Sequence, residues 1–450
     1  MTTLLARRIG FHFKEAEMRR RNVAAVIGEA WVPRQLASLQ QIWAEASRDI
    51  PYYRSLVKSG LAPERIEGWP DVQRIPILTR RILQERATEF LRDAGAPQSF
   101  MTTAGSTGQP LSIGMNQAER DLMRIVKLAE WQSFGYTQSS RLFLIWGHAH
   151  LLGTGWRGHL SHARRKLTDA LLGYQRVDAY HLDQRSCEEH AEALIRFKPL
   201  GLISYASALD LFARYTAGYR DRFRALNLKF VLSTAEAPPR SDTIPRLEDL
   251  FGCPVVQEYG GAEFGQVAFN RGGTPFEVYN DLNYVEGTAA EAGNPGVEPV
   301  LITTLYSRYL PLIRYCVGDA IGGARRLSNG HVHAFETMAG RINDVIELST
   351  GVFIHSVAVF HCVHQEPTVH GIQMVLNDGG IDILLVAAPG DRPRMEARIR
   401  RRLRQVHPLL TSATFRYVED LEPTRAGKRR WYVDRRTDAS CVVAARGVNG

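Results

Sequence analysis

Apolar positions recur along this chain in two rhythms, and the change between them marks its organisation. Leu36, Leu39, Ile42 and Trp43 follow the 3.6-residue period of a helix, and Pro51 ends it. Residues 1–95 therefore read as mostly helical. Beyond them, short apolar runs alternate with helical stretches. Runs at 142–146, 201–205, 229–233 and 255–257 read as strands, with helices at 187–196 and 208–219. That alternation predicts α/β layering with largely parallel sheets, and 299–304 and 311–315 read as later strands. A boundary falls near Gly340. It separates a large N-terminal domain of layered sheets and helices (1–339) from a small α+β domain (340–436), with 437–450 as a tail. The small domain reads as a strand at 345–348, a helix at 356–364, strands at 371–376 and 381–386, a helix over 392–404 and a strand at 414–418.

Composition narrows the function classes. The 450 residues carry 44% hydrophobic and 23% charged side chains, the signature of a globular chain. No apolar run approaches the roughly 20 residues needed to span a bilayer, and the first 18 residues lack the sustained apolar core of a secretory signal. Five cysteines stand singly with no CxxC pair, which argues against structural zinc and a disulfide framework. A reducing cytoplasm is the expected setting. Net charge is 56 − 47 = +9, and its densest run lies at Arg398, Arg400, Arg401, Arg402 and Arg404. Met395, Ile399, Leu403 and Val406 fall at helical spacing within that run. It therefore reads as an amphipathic helix with a solvated basic face, not as a nucleic-acid surface, and an anionic small molecule accounts for part of the bias.

Six motifs bear on chemistry. Thr103-Ala104-Gly105-Ser106-Thr107-Gly108-Gln109-Pro110 mixes glycine with hydroxyl residues. Such a loop turns backbone N–H groups toward one point while hydroxyls add donors, which suits a polyphosphate. No Lys follows Gly108, so it is not a Walker loop. Ser233-Thr234-Ala235-Glu236-Ala237-Pro238 follows an expected strand. In Gln257-Glu258-Tyr259-Gly260-Gly261-Ala262-Glu263, a ring, a glycine pair and a carboxylate follow a strand end, where open α/β sheets bind ligands. Tyr259 can stack on a purine, and Glu263 offers Mg²⁺ the oxygen it prefers. Arg314 to Asp319, Gly340 to Ile346 and Thr424 to Arg430 complete the set. Asp319 suits a ribose, and Lys428 stands in a glycine turn as a mobile point charge. His148, His150, His159 and His162 crowd one Gly-rich stretch and read as pocket-edge or surface residues, not metal ligands. No Gly-x-Ser-x-Gly elbow is present.

In combination and order these motifs resemble the adenylate-forming superfamily, and within it the phenylacetate–coenzyme A ligase branch with its capsular-polysaccharide-cluster relatives. Ile50-Pro51-Tyr52-Tyr53-Arg54, Ile75 to Arg80, Tyr205 to Leu209 and Ala235 to Pro238 carry the narrower likeness, which runs over roughly residues 35–436. The resemblance implies ATP-dependent activation of a carboxylic acid to an acyl adenylate, with a small C-terminal domain that is mobile. It implies that Thr103, Gly105, Ser106, Thr107 and Gly108 hold phosphates. Ala235, Glu236 and Ala237 would line the adenine, with Gln257 and Glu258 beside it and Tyr259 on its face. It gives Mg²⁺ to Glu263, the ribose to Asp319, the ribose or phosphate to Arg341, the hinge to Asn343 and adenylation to Lys428. Trp146, His148, Tyr205, Ser207, Gly260 and Gly261 are pocket candidates by position, and the glycine pair is expected to leave space for a flat aromatic acid. Gln109, Ala262 and Asn343 depart from the family's usual Lys, Thr and Asp. The implied acceptor is coenzyme A. The residues leave open an amine or other nucleophile, a degenerate nucleotide-binding scaffold, and either a monomer or a homodimer.

Overall fold

The computed structural model describes residues 2–92, 99–102, 112–146, 163, 165–179, 182–238, 242–288, 297–341, 345–349, 352–355, 359, 362–363, 366–378, 380–419, 421 and 432–436. The chain divides into two compact units, residues 1–340 and 341–450.

The larger unit is built on a nine-stranded mixed sheet. Five parallel strands, Tyr174–Val177, Leu142–Ile145, Gly201–Tyr205, Phe230–Thr234 and Val255–Gly261, lie side by side in that order. The sheet then turns antiparallel through Gly265–Arg271, Phe276–Val278, Val332–Phe335 and Arg325–Arg326. Helices Gln184–Phe197, Ala206–Tyr215 and Thr243–Phe251 supply residues to the apolar core on one face of the parallel half. Helices Thr2–Ala24 and Gln117–Ser133 supply the core on the other. Local chemistry sets where these helices begin. Asn116 accepts from the Glu119 N–H while Glu119 accepts from the Asn116 N–H, each at 2.8 Å, a reciprocal cap for helix Gln117–Ser133. Pro51 ends helix Trp31–Asp49 and opens Pro51–Lys58, where its missing N–H costs nothing.

A second sheet joins Leu78–Thr79, Tyr315–Gly322, Val297–Thr304 and Asn283–Gly287, with Thr337–Arg341 added to Tyr315–Gly322. Arg314 ties this sheet to the N-terminal helices. Its guanidinium pairs with Glu286 and donates to the Gln73 and Ile75 carbonyls, both at 2.7 Å.

In the smaller unit, Thr414–Tyr417, Gly380–Ala387, Val369–Asn377 and Tyr432–Asp434 form a four-stranded sheet. Helix Arg392–Val406 starts on an Asp391 cap, and its Met395, Ile399 and Leu403 join the apolar core of this unit. Its arginines are largely engaged within the unit. Arg398 and Arg402 close on the buried Glu366, and Arg392 and Arg400 lie over the rings of Tyr417 and Phe415.

The mixed α/β architecture matches expectation, and several details correct it. The sheets are not largely parallel, because the second half of the large sheet and most of the second sheet are antiparallel. The strand expected at 311–315 begins only at Tyr315 and runs to Gly322. The helix expected over 208–219 is Ala206–Tyr215 followed by a separate 3₁₀ turn. Of the helix expected at 356–364, residues 359, 362 and 363 are described, and they are helical.

Candidate functional site

The site is assembled from the carboxyl ends of the parallel strands, the edge where open α/β sheets bind ligands. Registry puts Tyr205 opposite Thr234 and Thr234 opposite Glu258. Ile145, the residue before Trp146, lies opposite Ser204. Trp146, Tyr205, Thr234 and Glu258 therefore form one row along the edge, and residues 235–237 leave from its middle.

On one side of the row, Trp146 stacks on Tyr205 with centroids 4.1 Å apart and planes at 24°. Burial lifts the Tyr205 phenol to about 12, and the Glu236 carboxylate adds to the shift. Glu236 Oε1 accepts from the Ser207 N–H at 3.0 Å and also from the Ser207 hydroxyl. Ser207 lies in the first turn of helix Ala206–Tyr215, where a carboxylate satisfies an orphan amide and meets the positive end of the helix dipole. This contact turns the 235–237 loop back onto the wall that carries Trp146 and Tyr205. The loop leaves its strand through Ala235 at φ +70°, a left-handed conformation that costs a residue with a Cβ about 1–2 kcal/mol. Ala235 and Ala237 remain exposed.

Beyond the middle of the row, Thr234 Oγ1 donates to Glu258 Oε2 at 3.1 Å. The Gln257 N–H is held by Asn270 Oδ1 at 3.0 Å. Tyr259 donates its hydroxyl to Asp319 Oδ2 at 2.9 Å, joining the large sheet to the second one. Both residues are buried, and the Tyr259 ring packs edge-on against Phe335. Asp319 follows Gly318, which stands at φ +82°.

Glu263, just past the strand Val255–Gly261, pairs through Oε1 with Arg80 Nη1 at 2.8 Å. Tyr315 lies beside that pair. The expected open space at the glycine pair is corrected by the structure. A Cβ at Gly260 would stand 2.5 Å from the Gly265 carbonyl oxygen, and one at Gly261 would stand 2.6 Å from the Phe264 ring. The pair is small because the hairpin Val255–Arg271 closes tightly on itself, so it leaves no room in that direction for an acid.

The structure thus brings together Trp146, Tyr205, Ser207 and Glu236, and separately Tyr259 with Asp319. Arg341 ends the strand Thr337–Arg341. Thr103, Gly105, Ser106, Thr107, Gly108, His148, Asn343 and Lys428 lie outside the described residues, although the strands flanking the first five pair with Thr102 opposite Ser112. Among the described residues no group of three or more His, Cys, Asp or Glu side chains is placed to hold a metal ion.

Two ionisable residues near the site escaped the sequence. Arg80 was visible only as part of a local run, because its partner stands 183 positions away. Glu130 lies on helix Gln117–Ser133, buried beside Leu128 and Ala129. Its carboxyl accepts from the Tyr279 hydroxyl, and burial pushes it up to about 8, with the Glu258 carboxylate adding to the shift. The usable signal was position: Glu130 stands four residues after the buried Val126, on the apolar side of the helix.

No family model matches the chain. Protein CapK of Staphylococcus aureus is 22% identical over 414 residues, which span 88% of this chain and 87% of that protein. The structure of a 2-hydroxyisobutyryl-CoA ligase, in the postadenylation state with R3-HIB-AMP, aligns with a TM-score of 0.66. It is 16% identical and covers 90% of this chain and 89% of its own. ATP-bound MatB from Rhodopseudomonas palustris aligns with a TM-score of 0.50 at 14% identity, over 75% of this chain and 68% of that one.

Proposed function

We propose that this chain, which has the fold of the adenylate-forming ligases, activates a carboxylic acid with ATP and passes the acyl group to coenzyme A. One observation carries the reading. The row Trp146, Tyr205, Thr234 and Glu258 lies on one sheet edge, with Glu236 folded back on Ser207, and Asp319 of the second sheet meets Tyr259 of the first, so an aromatic wall and nucleotide-binding candidates stand at and beside that edge.

In this reading the exposed backbone of Ala235 and Ala237 receives the adenine, and Asp319 the ribose. The Trp146–Tyr205 stack forms a wall for the acid, an aryl or small organic one. The acid's carboxylate oxygen attacks the α-phosphorus in line, the new P–O bond forms, and the bond to pyrophosphate breaks. The coenzyme A thiol then attacks the acyl carbon, AMP leaves as the C–O bond breaks, and the thiol proton passes to solvent. The protein's part is positioning and charge stabilisation, not covalent chemistry.

Mg²⁺ fits as a companion of the phosphates. A single carboxylate plus substrate phosphates is a common setting for that ion, and Glu263 offers one, with Oε1 on Arg80 and Oε2 lying over Gly261. Bound there it would neutralise phosphate charge. Lys428, to which the family resemblance gives adenylation, is tested by Lys428→Ala, which should slow acid-dependent pyrophosphate exchange about 10²–10³-fold.

The decisive experiment is pyrophosphate release from ATP by the full chain, across a panel of aryl and aliphatic acids. Release that depends on one class of acid supports the reading. ATP binding with no acid-dependent release across the panel overturns it in favour of a nucleotide-binding scaffold. Discharge of the preformed adenylate by an amine but not by coenzyme A would replace the acceptor.

A further inference from the structure

Behind the row lies a carboxyl that the proposed reaction does not use. Glu130 is 5% exposed, and its Oε1 has no hydrogen-bond partner among the described residues. Its other oxygen accepts from Tyr279, itself buried. Val126 and Ala129 share an apolar core with Leu232 and Val256. Helix Gln117–Ser133 thus packs on the sheet face that carries those two strand residues. Thr234 and Glu258 follow them by two positions in extended strands, so they project from the same face. Glu130 therefore looks toward the hydrogen-bonded pair Thr234–Glu258 from behind the edge.

The charged surroundings leave the carboxyl little support as an anion. On its own helix the exposed Lys127 offsets it, and from strand Gly265–Arg271 so does Arg271, whose guanidinium lies over the rings of Phe134 and Phe269. Arg19 of helix Thr2–Ala24 is held by both oxygens of Asp281, at 2.6 and 2.7 Å. Against burial stand the Tyr279 hydrogen bond, which favours the anion, and the Lys127 and Arg271 cations; with burial stands Glu258, a like charge that outweighs each of them. A carboxyl in an apolar site beside another carboxylate holds its proton at neutral pH.

We infer that Glu130 is a positioning residue for Glu258: its neutral carboxyl lets the Glu258 carboxylate rest on Thr234 at the sheet edge, and loss of its proton forces Glu258 off that hydrogen bond and weakens nucleotide binding. The inference rests on the reading of that edge as a nucleotide site. Thr234 is the last residue before the 235–237 loop, so a displaced Glu258 disturbs the backbone that receives the base. Only a proton moves, from the Glu130 carboxyl to solvent.

The test is ATP binding by calorimetry at pH 7.5 and 9.5, above the titration of the nucleotide's own phosphates, on the wild type, Glu130→Gln and Glu258→Gln. The glutamine at 130 copies the shape of the neutral acid and cannot ionise. Wild-type affinity should fall about five- to twentyfold between the two pH values. Glu130→Gln should match the wild type within about twofold at pH 7.5 and keep that affinity at pH 9.5. Glu258→Gln should bind more weakly than wild type at pH 7.5 and lose the extra alkaline fall. Circular dichroism at both pH values separates local displacement from unfolding. Wild-type affinity that does not change with pH overturns the inference alone, as does a Glu130→Gln variant that falls as far as the wild type. ATP that binds the wild type at neither pH overturns the proposed function and this inference with it.

Discussion

Two residues near the site are held in conformations their side chains disfavour. Ala235 at φ +70° and Arg314 at φ +50° both flank strands whose next residues approach the site. Strain at such positions persists where the surroundings over-determine it. Arg314 is fixed by Glu286 and two backbone carbonyls, whereas Ala235 is exposed and fixed mainly by the residue after it. Ala235→Gly removes the Cβ penalty but frees the unfolded chain, so a net gain of about 0.5–1 kcal/mol is expected. The urea midpoint measures it; a loss of stability would mean that the left-handed turn is not the native one. Arg80 makes a different case. It is 24% exposed and Glu263 12% exposed, so the pair is screened less than a surface pair and more than a buried one. Arg80→Ala should cost about 1–2 kcal/mol, between those limits. A cost under a few tenths, read from the same midpoints, would show the pair to be incidental.

At the scale of elements, the loop 235–237 and helix Ala206–Tyr215 act as one piece because Glu236 closes on the start of that helix. A double-mutant cycle between Glu236→Ala and Ser207→Ala should give a coupling of about 1–2 kcal/mol, the range for contacting polar pairs. Strict additivity would break the link between the Trp146–Tyr205 stack and the 235–237 loop. Four of the five parallel strands of the large sheet were legible because each carries a short apolar run, as at Leu142–Ile145 and Gly201–Tyr205, whereas Tyr174–Val177, half-buried and partly polar, was not. The antiparallel ones were legible in part: those expected at 299–304, 371–376 and 381–386 are strands, whereas Gly265–Arg271 and most of Tyr315–Gly322 were missed. Tyr315–Gly322 carries Cys316, Gly318 and Asp319 among its eight residues, and its pairing partners are Leu78–Thr79 and Val297–Thr304. No local period announces a strand whose neighbours lie elsewhere in the chain. The same reason hid the Arg80–Glu263 pair, whereas Glu236, Tyr259 and Asp319 were reachable because their motifs are local. The glycine pair was misjudged on this scale too: a missing side chain signals close approach as readily as open space, and only the position of Phe264 and Gly265 distinguishes the two.

At the scale of the larger unit, two buried groups titrate against the fold from opposite sides. His331 is fully buried, accepts from the Val285 N–H at its Nδ1 and meets Asn280 Oδ1 at its Nε2. Burial holds it neutral, down to about 3. Between there and the ordinary value of 6.5 the unfolded chain binds a proton that the folded one refuses, so stability falls as pH drops through that window. The loss should reach about 2 kcal/mol by pH 5. Glu130 has the reverse sign. From its ordinary 4.5 up to about 8 the folded state keeps a proton that the unfolded state has released, so its contribution to stability falls as pH rises. Urea midpoints from pH 4.5 to 8.5 separate the two. His331→Asn should be less stable throughout and should lose the rise that His331 supplies below pH 6.5, leaving the opposing slope of Glu130 between pH 4.5 and 6.5. Glu130→Gln should steepen the rise in stability between pH 4.5 and 6.5, which Glu130 otherwise offsets, and gain on the wild type steadily toward pH 8. If Glu130→Gln instead runs parallel to the wild type across that range, the carboxyl carries no retained proton, and the neutral form on which Glu258 depends does not exist.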